Sequence, residues 1–260
     1  TINPAKTADI VVTQKEEDET TSSTYTGQPV QPGLSDFTVM LGDVDVSQYF
    51  VVTYPTSVHE NIDAGKDAGT MTLVPKKNTE NFEGTKEVKF EIFRAVLDNN
   101  VLTGAALTAW TEDGKVATLG TTTTDTNVTT FDYTGDAYTF DKVEFKTTNS
   151  KLKEGVDYEI VYFNNTTGPD AAVYVNAIGN YKNPETNKFE GSETTYSFAK
   201  YFKIDGVSIR KVDVTVEDSA YAGGLPVKPN VTIKIGEKAL IEGTDYEIET
   251  TGDTVNVTPA

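Results

Sequence analysis

The side chains that could carry out chemistry in this chain are almost all carboxylates. Its 260 residues include 40 Asp and Glu, a single histidine (His59) and no cysteine. Disulfides, thiol nucleophiles and Cys/His zinc sites are therefore excluded, and a histidine-based catalytic triad could use only His59, with no second histidine to spare. Two carboxylates at a set separation are enough for glycoside hydrolysis, so the acidic residues are the ones to test for catalysis.

The positions of the acidic residues favour structural roles. Asp157 and Asp245 recur at equivalent points of a repeated phrase, and residues 16–19 form one charged cluster. A catalytic pair is expected at one place in a chain and is not copied with a repeat. We therefore predict turn-capping or solvated roles for these carboxylates, and no enzyme activity. His59, beside Glu60 in a polar segment, is predicted to lie at the surface.

Two other kinds of site fit the residue types. Oxygen ligands of the kind that Ca²⁺ prefers occur in three short segments, but none has the spacing of a twelve-residue calcium loop, and turn chemistry explains them equally well. These segments hold Asp43 and Asp45, Asp63 and Asp67, and Asp98 with Asn99 and Asn100. Trp110, the only tryptophan, is either a stacking platform for a sugar or a packed side chain. It is the one candidate ligand-binding residue, and no catalytic residue, metal or cofactor is predicted.

Repeated phrases organise the chain. Tyr-x-Gly with a following Pro-Val-x-Pro occurs at residues 25–32 and 221–229, and a shortened form occurs at 133–138. A second phrase, Leu-x-x-Gly-x-Asp-Tyr-x-Ile, occurs at residues 152–160 and again 88 residues later at 240–248. The first Tyr precedes the second by 25 residues in the last two copies. With Tyr49 as the counterpart, the spacing in the first copy is 24.

The elements around these phrases are predicted to be strands. Tyr, Phe, Val and Thr are abundant, residues such as 231–235 alternate between apolar and polar, and no segment has helical periodicity. Roughly six or seven short strands in each copy fit an immunoglobulin-like sandwich of two sheets. The sequence therefore predicts an all-β chain of tandem Ig-like antiparallel β-sandwich domains, arranged end to end.

The predicted domains are residues 1–93, 94–204 and 205–260. Repeat 2 has an N-terminal insert, in which Val101 to Trp110 and Lys115 to Leu119 are predicted to form an added hairpin. Repeat 3 is expected to be truncated, because its matching residues stop about one turn and one strand short of a full unit. The repeated tyrosines (Tyr25, Tyr133, Tyr221, Tyr158 and Tyr246) are predicted to pack in cores or corners.

The phrases resemble the bacterial Ig-like (MBG/YDG-type) surface repeat family of Gram-positive secreted or cell-wall proteins. The resemblance covers most of the chain outside residues 94–130, although the first copy lacks Gly-x-Asp and the second lacks Pro-Val-x-Pro. It implies a stalk or adhesive module without catalysis. Some such proteins close a Lys–Asn isopeptide bond, for which Lys115 or Lys211 are the candidates.

Charge and hydropathy limit the partners. A net charge of −18 opposes binding to nucleic acid, and no apolar run is long enough to cross a membrane. We expect a monomeric, non-catalytic segment of an extracellular, cell-surface or cell-wall protein that acts as a stalk or spacer, with adhesion as a further role. The alternatives are a ligand-binding module for a host glycan, mucin or host protein, including immunoglobulin, and an accessory spacer of an extracellular glycoside hydrolase.

Overall fold

The computed structural model of the chain describes residues 3–20, 22–57, 59–207, 211–218, 220, 223, 229–251 and 254–259. Across these residues the secondary structure consists of 21 strands and four short 3-10 helices: Thr7–Asp9, Glu17–Glu19, Leu34–Asp36 and Ser47–Tyr49. The all-β prediction is therefore confirmed.

The chain divides into two compact units. One comprises residues 1–105, 147–159 and 175–198, and the other comprises 106–146, 160–174 and 199–260. The boundaries 1–93, 94–204 and 205–260 stay a prediction.

The first part of the chain forms two three-stranded sheets, in the strand orders β2-β3-β4 and β5-β6-β8. Alternation explains the faces of β3: Phe37 and Val39 are buried, whereas Thr38 between them is exposed. Two further pairings are short and parallel: β1 pairs with β7, and β9 pairs with a strand from the middle of the chain. The strands are β1 (Ala5–Lys6), β2 (Val11–Gln14), β3 (Phe37–Leu41), β4 (Val44–Asp45), β5 (Phe50–Thr53), β6 (Gly65–Pro75), β7 (Phe82–Glu83), β8 (Lys86–Ile92) and β9 (Ala95–Val96).

Side chains from both of these sheets meet in one core. Phe37 of β3 packs edge-on against Phe90 of β8, with ring centroids 6.1 Å apart. Gly69 of β6 lies opposite Phe90, where an added Cβ would stand 2.3 Å from the ring. The ring thus needs the glycine. The fully packed centre consists of Ile10, Val39, Phe50, Met71, Leu73, Phe90 and Ile92.

The middle of the chain repeats this arrangement in part. Its strands are β10 (Ala106–Trp110), β11 (Thr130–Asp132), β12 (Lys142–Lys146), β13 (Tyr158–Phe163), β14 (Gly168–Ala177), β15 (Tyr181–Lys182) and β16 (Phe198–Asp205). Strand β10 pairs antiparallel with β12, and a four-stranded sheet has the order β11-β16-β14-β13. Phe202 at 0% exposure lies within a cluster of rings with Phe131 and Phe140.

The last part contains β17 (Asp213–Val216), β18 (Val231–Ile235), β19 (Lys238–Ala239), β20 (Tyr246–Thr251) and β21 (Thr254–Pro259). The sheet β17-β18-β19 has the same order and register as β2-β3-β4. Lys234 pairs with Ala239 as Met40 pairs with Asp45. Glycines with nearly equal φ form the two tight turns, 59° at Gly42 and 57° at Gly236. These parts of the first and third copies therefore have the same fold.

The structure changes the sequence assignment at two places. Strand β5 begins at Phe50, which is 2% exposed, just as β13 and β20 begin at the buried Tyr158 and Tyr246. The counterpart of these two tyrosines is therefore Phe50 and not Tyr49, and the spacing from Tyr25 becomes 25 residues, as in the other copies.

The second change concerns the predicted hairpin of the middle copy. The predicted hairpin is present as a short antiparallel pairing: a bridge between Trp110 and Val116, with hydrogen bonds from the Ala117 N–H to Ala109 and from the Thr111 N–H to Lys115. The main partner of β10 is β12, so β10 occupies the place that β2 has beside β3.

Candidate functional site

Trp110, the candidate ligand-binding residue, lies at the end of β10 and is half-buried. The Lys142 ammonium stands 4.7 Å from the centre of its ring, in cation–π geometry. Glu144 binds this lysine and so holds it in place. One face of the indole is therefore already occupied by a cation.

Three of the predicted oxygen ligands, Asp45, Asp63 and Asp98, accept hydrogen bonds. Asp45 Oδ1 accepts the Ser47 N–H at 2.8 Å, and this bond lowers the pKa of Asp45. Asp98 Oδ1 accepts the Asn100 N–H at 2.9 Å, and Asp63 accepts a side-chain amide. Within the described residues, no group of three or more His, Cys, Asp or Glu side chains is placed to hold a metal ion. The contacts of Asp45 and Asp98, each with the N–H two residues on, are the ones that turn chemistry predicts.

The remaining predicted residues are at the surface. Lys115 is paired with Asp113, and Lys211 stands 3.8 Å from Asp132; both lysine side chains are at least two-thirds exposed. His59 is also exposed. Lys115, Lys211 and His59 are thus surface residues.

The second phrase folds into the same loop at both of its occurrences. The Asp157 carboxylate accepts the Lys153 N–H at 2.9 Å, and the Asp245 carboxylate accepts the Ile241 N–H at 2.8 Å. The N–H of Asp157 also bonds to the Lys153 carbonyl, at 2.9 Å, and the matching bond of Asp245 is 2.8 Å. The predicted turn-capping role of these two aspartates is confirmed.

The glycine of this loop is needed for its conformation. Gly155 and Gly243 have φ of 77° and 81°, in the left-handed region that side chains with a Cβ disfavour. Each glycine N–H bonds at 2.8 Å to the carbonyl of the tyrosine that begins the next strand, Tyr158 or Tyr246. The phrase is therefore a strand-entry loop, and its spacing is fixed by hydrogen bonding.

The first phrase also has a glycine at positive φ in each of its three copies. Its glycines have φ of 76° at Gly27, 76° at Gly135 and 68° at Gly223. In two copies the hydroxyl of the residue between Tyr and Gly accepts a backbone N–H at 3.3 Å, from Gln28 and from Asp136. Tyr221 lies outside the described residues, so the predicted core or corner role is open there.

In the first two copies, the residue five positions after the tyrosine of the first phrase is hydrogen-bonded to an asparagine. Asn61 accepts the Val30 N–H through its carbonyl at 2.7 Å, and Asn165 accepts the Tyr138 N–H in the same way at 2.6 Å. Each side-chain amide donates back to the carbonyl of the same partner. Sequence reasoning missed these two residues, because asparagine in a loop is ordinarily explained by the turn alone.

Tyr133 contacts the loop of the following copy. Its hydroxyl donates to Asp245 Oδ1 at 3.0 Å, while its N–H donates to the Asp205 carbonyl at 2.8 Å. Burial, followed by the hydrogen bond with Asp245, raises the pKa of Tyr133. The Lys238 ammonium binds Asp136 at 2.8 Å and also the Gly135 carbonyl, on the turn that follows Tyr133.

The first two copies meet through another set of contacts. Tyr25 packs edge-on against Tyr181, with centroids 5.5 Å apart. The Asn180 side chain accepts the Ala64 N–H at 2.7 Å and donates to Asp63 at 3.0 Å. Burial, then the nearby Tyr25 and Asp157, raise the pKa of Tyr181. The repeated tyrosines Tyr25 and Tyr133 are thus placed where one copy meets the next.

The chain matches no protein family, no curated protein and no solved structure. Among the described residues, no helix is long and apolar enough to cross a membrane.

Proposed function

We propose that the chain is a non-catalytic segment of a bacterial surface protein, in which tandem Ig-like sandwiches act as a stalk or spacer. The observation that carries the proposal is the recurrence of the strand-entry loop at Asp157 and Asp245, with the same hydrogen bonds. The most distinctive residues of the sequence are used to build a repeated unit. A repeated unit lengthens a chain, whereas a catalytic centre needs to be built once.

Composition and strand pairing support the same role. The net charge of −18 keeps a crowded array of such chains soluble, and the absence of cysteine makes stability independent of an oxidising compartment. Antiparallel ladders such as β6 with β8 carry tension through many hydrogen bonds. The extracellular and cell-wall location, and membership of the MBG/YDG-type repeats, belong to the proposal and rest on the sequence phrases.

Pulling on single molecules tests the spacer role. A spacer of separate sandwiches unfolds one unit at a time, and the predicted units 1–93, 94–204 and 205–260 each release a length of roughly 190 to 370 Å of chain. The Cys-free chain accepts one cysteine at each end for attachment. Successive rupture events of this length are expected, and a single rupture that releases the whole chain would contradict the proposal.

Adhesion is the added role, and Trp110 is the residue to test. Because Lys142 covers one face of the indole, sugar stacking would have to use the other face or displace the lysine. The chain is applied to arrays of glycans and host proteins, with Trp110→Ala as the variant. Saturable binding that Trp110→Ala abolishes would favour a binding module over a spacer, and blank arrays support the spacer.

A further inference from the structure

We propose that the tyrosine of the first phrase is a docking residue, which holds each copy against the next copy in the chain; Tyr133 does so by binding the strand-entry loop. The partner of this surface is a second sandwich of the same kind, and Asp245 is the acceptor in the best-defined case. The inference rests on the proposed spacer function, which it deepens by naming how consecutive units are held.

Tyr133 is well placed for this role because both ends of the residue are fixed. Its main chain continues the parallel pairing of β11 with β16, through the N–H bond to Asp205. Its hydroxyl then reaches a residue 112 positions later in the sequence. A side chain anchored in one sandwich and bonded to the next transmits orientation, which an unattached surface tyrosine cannot do.

Asp245 serves its own loop and its neighbour at once. One carboxylate oxygen accepts the Ile241 N–H at 2.8 Å, and the other accepts the Tyr133 hydroxyl at 3.0 Å. The loop hydrogen bond therefore sets the direction in which the second oxygen points. A hydrogen bond to a charged acceptor is stronger than one between neutral groups, so this contact holds Tyr133 firmly against the loop.

Lys238 gives the same surface a second contact. Its ammonium group binds the Gly135 carbonyl and the Asp136 carboxylate, both on the turn that begins with Tyr133. The turn is thus held from the next copy by an anion on one side and a cation on the other. Two contacts of opposite charge fix a rotation that one contact would leave open.

The other repeated tyrosine supports the generality of the scheme. The Tyr25 N–H bonds to the Phe93 carbonyl at 2.8 Å, as Tyr133 bonds to Asp205, so its backbone is anchored in the same way. Its ring meets Tyr181 of the following copy. The position of the tyrosine is therefore shared between the two junctions, while its partner is a ring in one and a carboxylate in the other.

Spin labels on the full chain test the docking contact. Cysteines replace Thr126 and Lys234, two exposed residues, one in each of the two copies that the Tyr133 contact joins, and pulsed electron paramagnetic resonance gives their distance distribution. Tyr133→Phe keeps the ring and removes only the hydroxyl. We expect the population outside the main distance peak to rise about ten-fold, as loss of a charge-assisted hydrogen bond implies. Tyr162→Phe is the matched control, because its hydroxyl accepts the Phe140 N–H within one copy.

An unchanged distribution in Tyr133→Phe overturns the proposal, as does equal broadening in Tyr162→Phe. Lys238→Met provides an independent variant in which the Tyr133 hydroxyl is retained, and it is also expected to broaden the distribution. Circular dichroism of each variant establishes that it is folded. Broadening as predicted in a chain that ruptures as one body would refute the spacer and leave the docking contact standing. The reverse pair of results would refute only the docking contact.

Discussion

Asn61 gives the sharpest test of how a repeat is packed. Its side chain is almost fully buried, at 7% exposure, and it binds both backbone groups of Thr70: Oδ1 accepts the N–H at 2.8 Å and Nδ2 donates to the carbonyl at 2.9 Å. Its φ of 57° lies in the left-handed region, which asparagine tolerates better than alanine. One residue thus binds β6 through Thr70 and also accepts the Val30 N–H through its backbone carbonyl.

The cost of Asn61→Ala follows from these contacts. Two well-formed hydrogen bonds contribute about 1 kcal/mol each, and alanine at this φ costs about 1 to 2 kcal/mol. We expect a loss of roughly 3 to 4 kcal/mol in the free energy of unfolding. Asn61→Gly loses the same hydrogen bonds without the backbone strain, so it should be about 1 kcal/mol less harmful than alanine.

Urea unfolding followed by far-ultraviolet circular dichroism measures both changes, with Asn165→Ala as the matched variant from the middle copy. Asn165 is half-buried, makes one side-chain hydrogen bond and has no positive φ, so about 1 to 2 kcal/mol is expected. The reasoning is wrong if Asn61→Ala stays within about 0.5 kcal/mol of the unmodified chain, the range of neutral surface changes. It is also wrong if glycine is the more harmful substitution.

Three other outcomes are expected. Gly179→Ala should cost about 2 to 4 kcal/mol, because φ is 61° and the new Cβ would stand 2.3 Å from the Val156 carbonyl oxygen; Gly191→Ala, at φ 70° with open space, should cost only about 1 to 2. Burial raises the pKa of Tyr54 to about 12 from its ordinary 10.0, so urea midpoints should fall as pH rises through that interval, and Tyr54→Phe should weaken the fall. A chelator should leave the melting temperature unchanged, since Asp45 and Asp98 already bind backbone N–H groups of their own turns; a clear decrease would restore the calcium hypothesis.

The loops were the most predictable part of the fold. The Gly-x-Asp-Tyr phrase predicts a turn, because its glycine can adopt positive φ and its aspartate can accept a backbone N–H, which in both loops comes from four residues earlier. In the first copy the phrase is degenerate and two aromatic residues, Tyr49 and Phe50, compete for one position. Burial decides in favour of Phe50, and burial depends on the strand opposite.

The docking contacts could not be read from the sequence. Tyr133 and Asp245 belong to different copies, and each has a sufficient explanation within its own phrase. Repetition indicates that a residue is used more than once, but not whether its side chain turns inward or toward a neighbour. The same limit applies to Trp110, whose ring is covered by Lys142 from the paired strand β12.

Small-angle X-ray scattering of the 260-residue chain tests the central claim most directly. A single compact body of this length has a radius of gyration of about 18 Å. Sandwich units joined end to end predict a radius of gyration at least about one and a half times as large, with a scattering curve typical of an elongated rod. A radius of gyration near the compact value would mean that the copies fold back into one globule, and the spacer account would be contradicted.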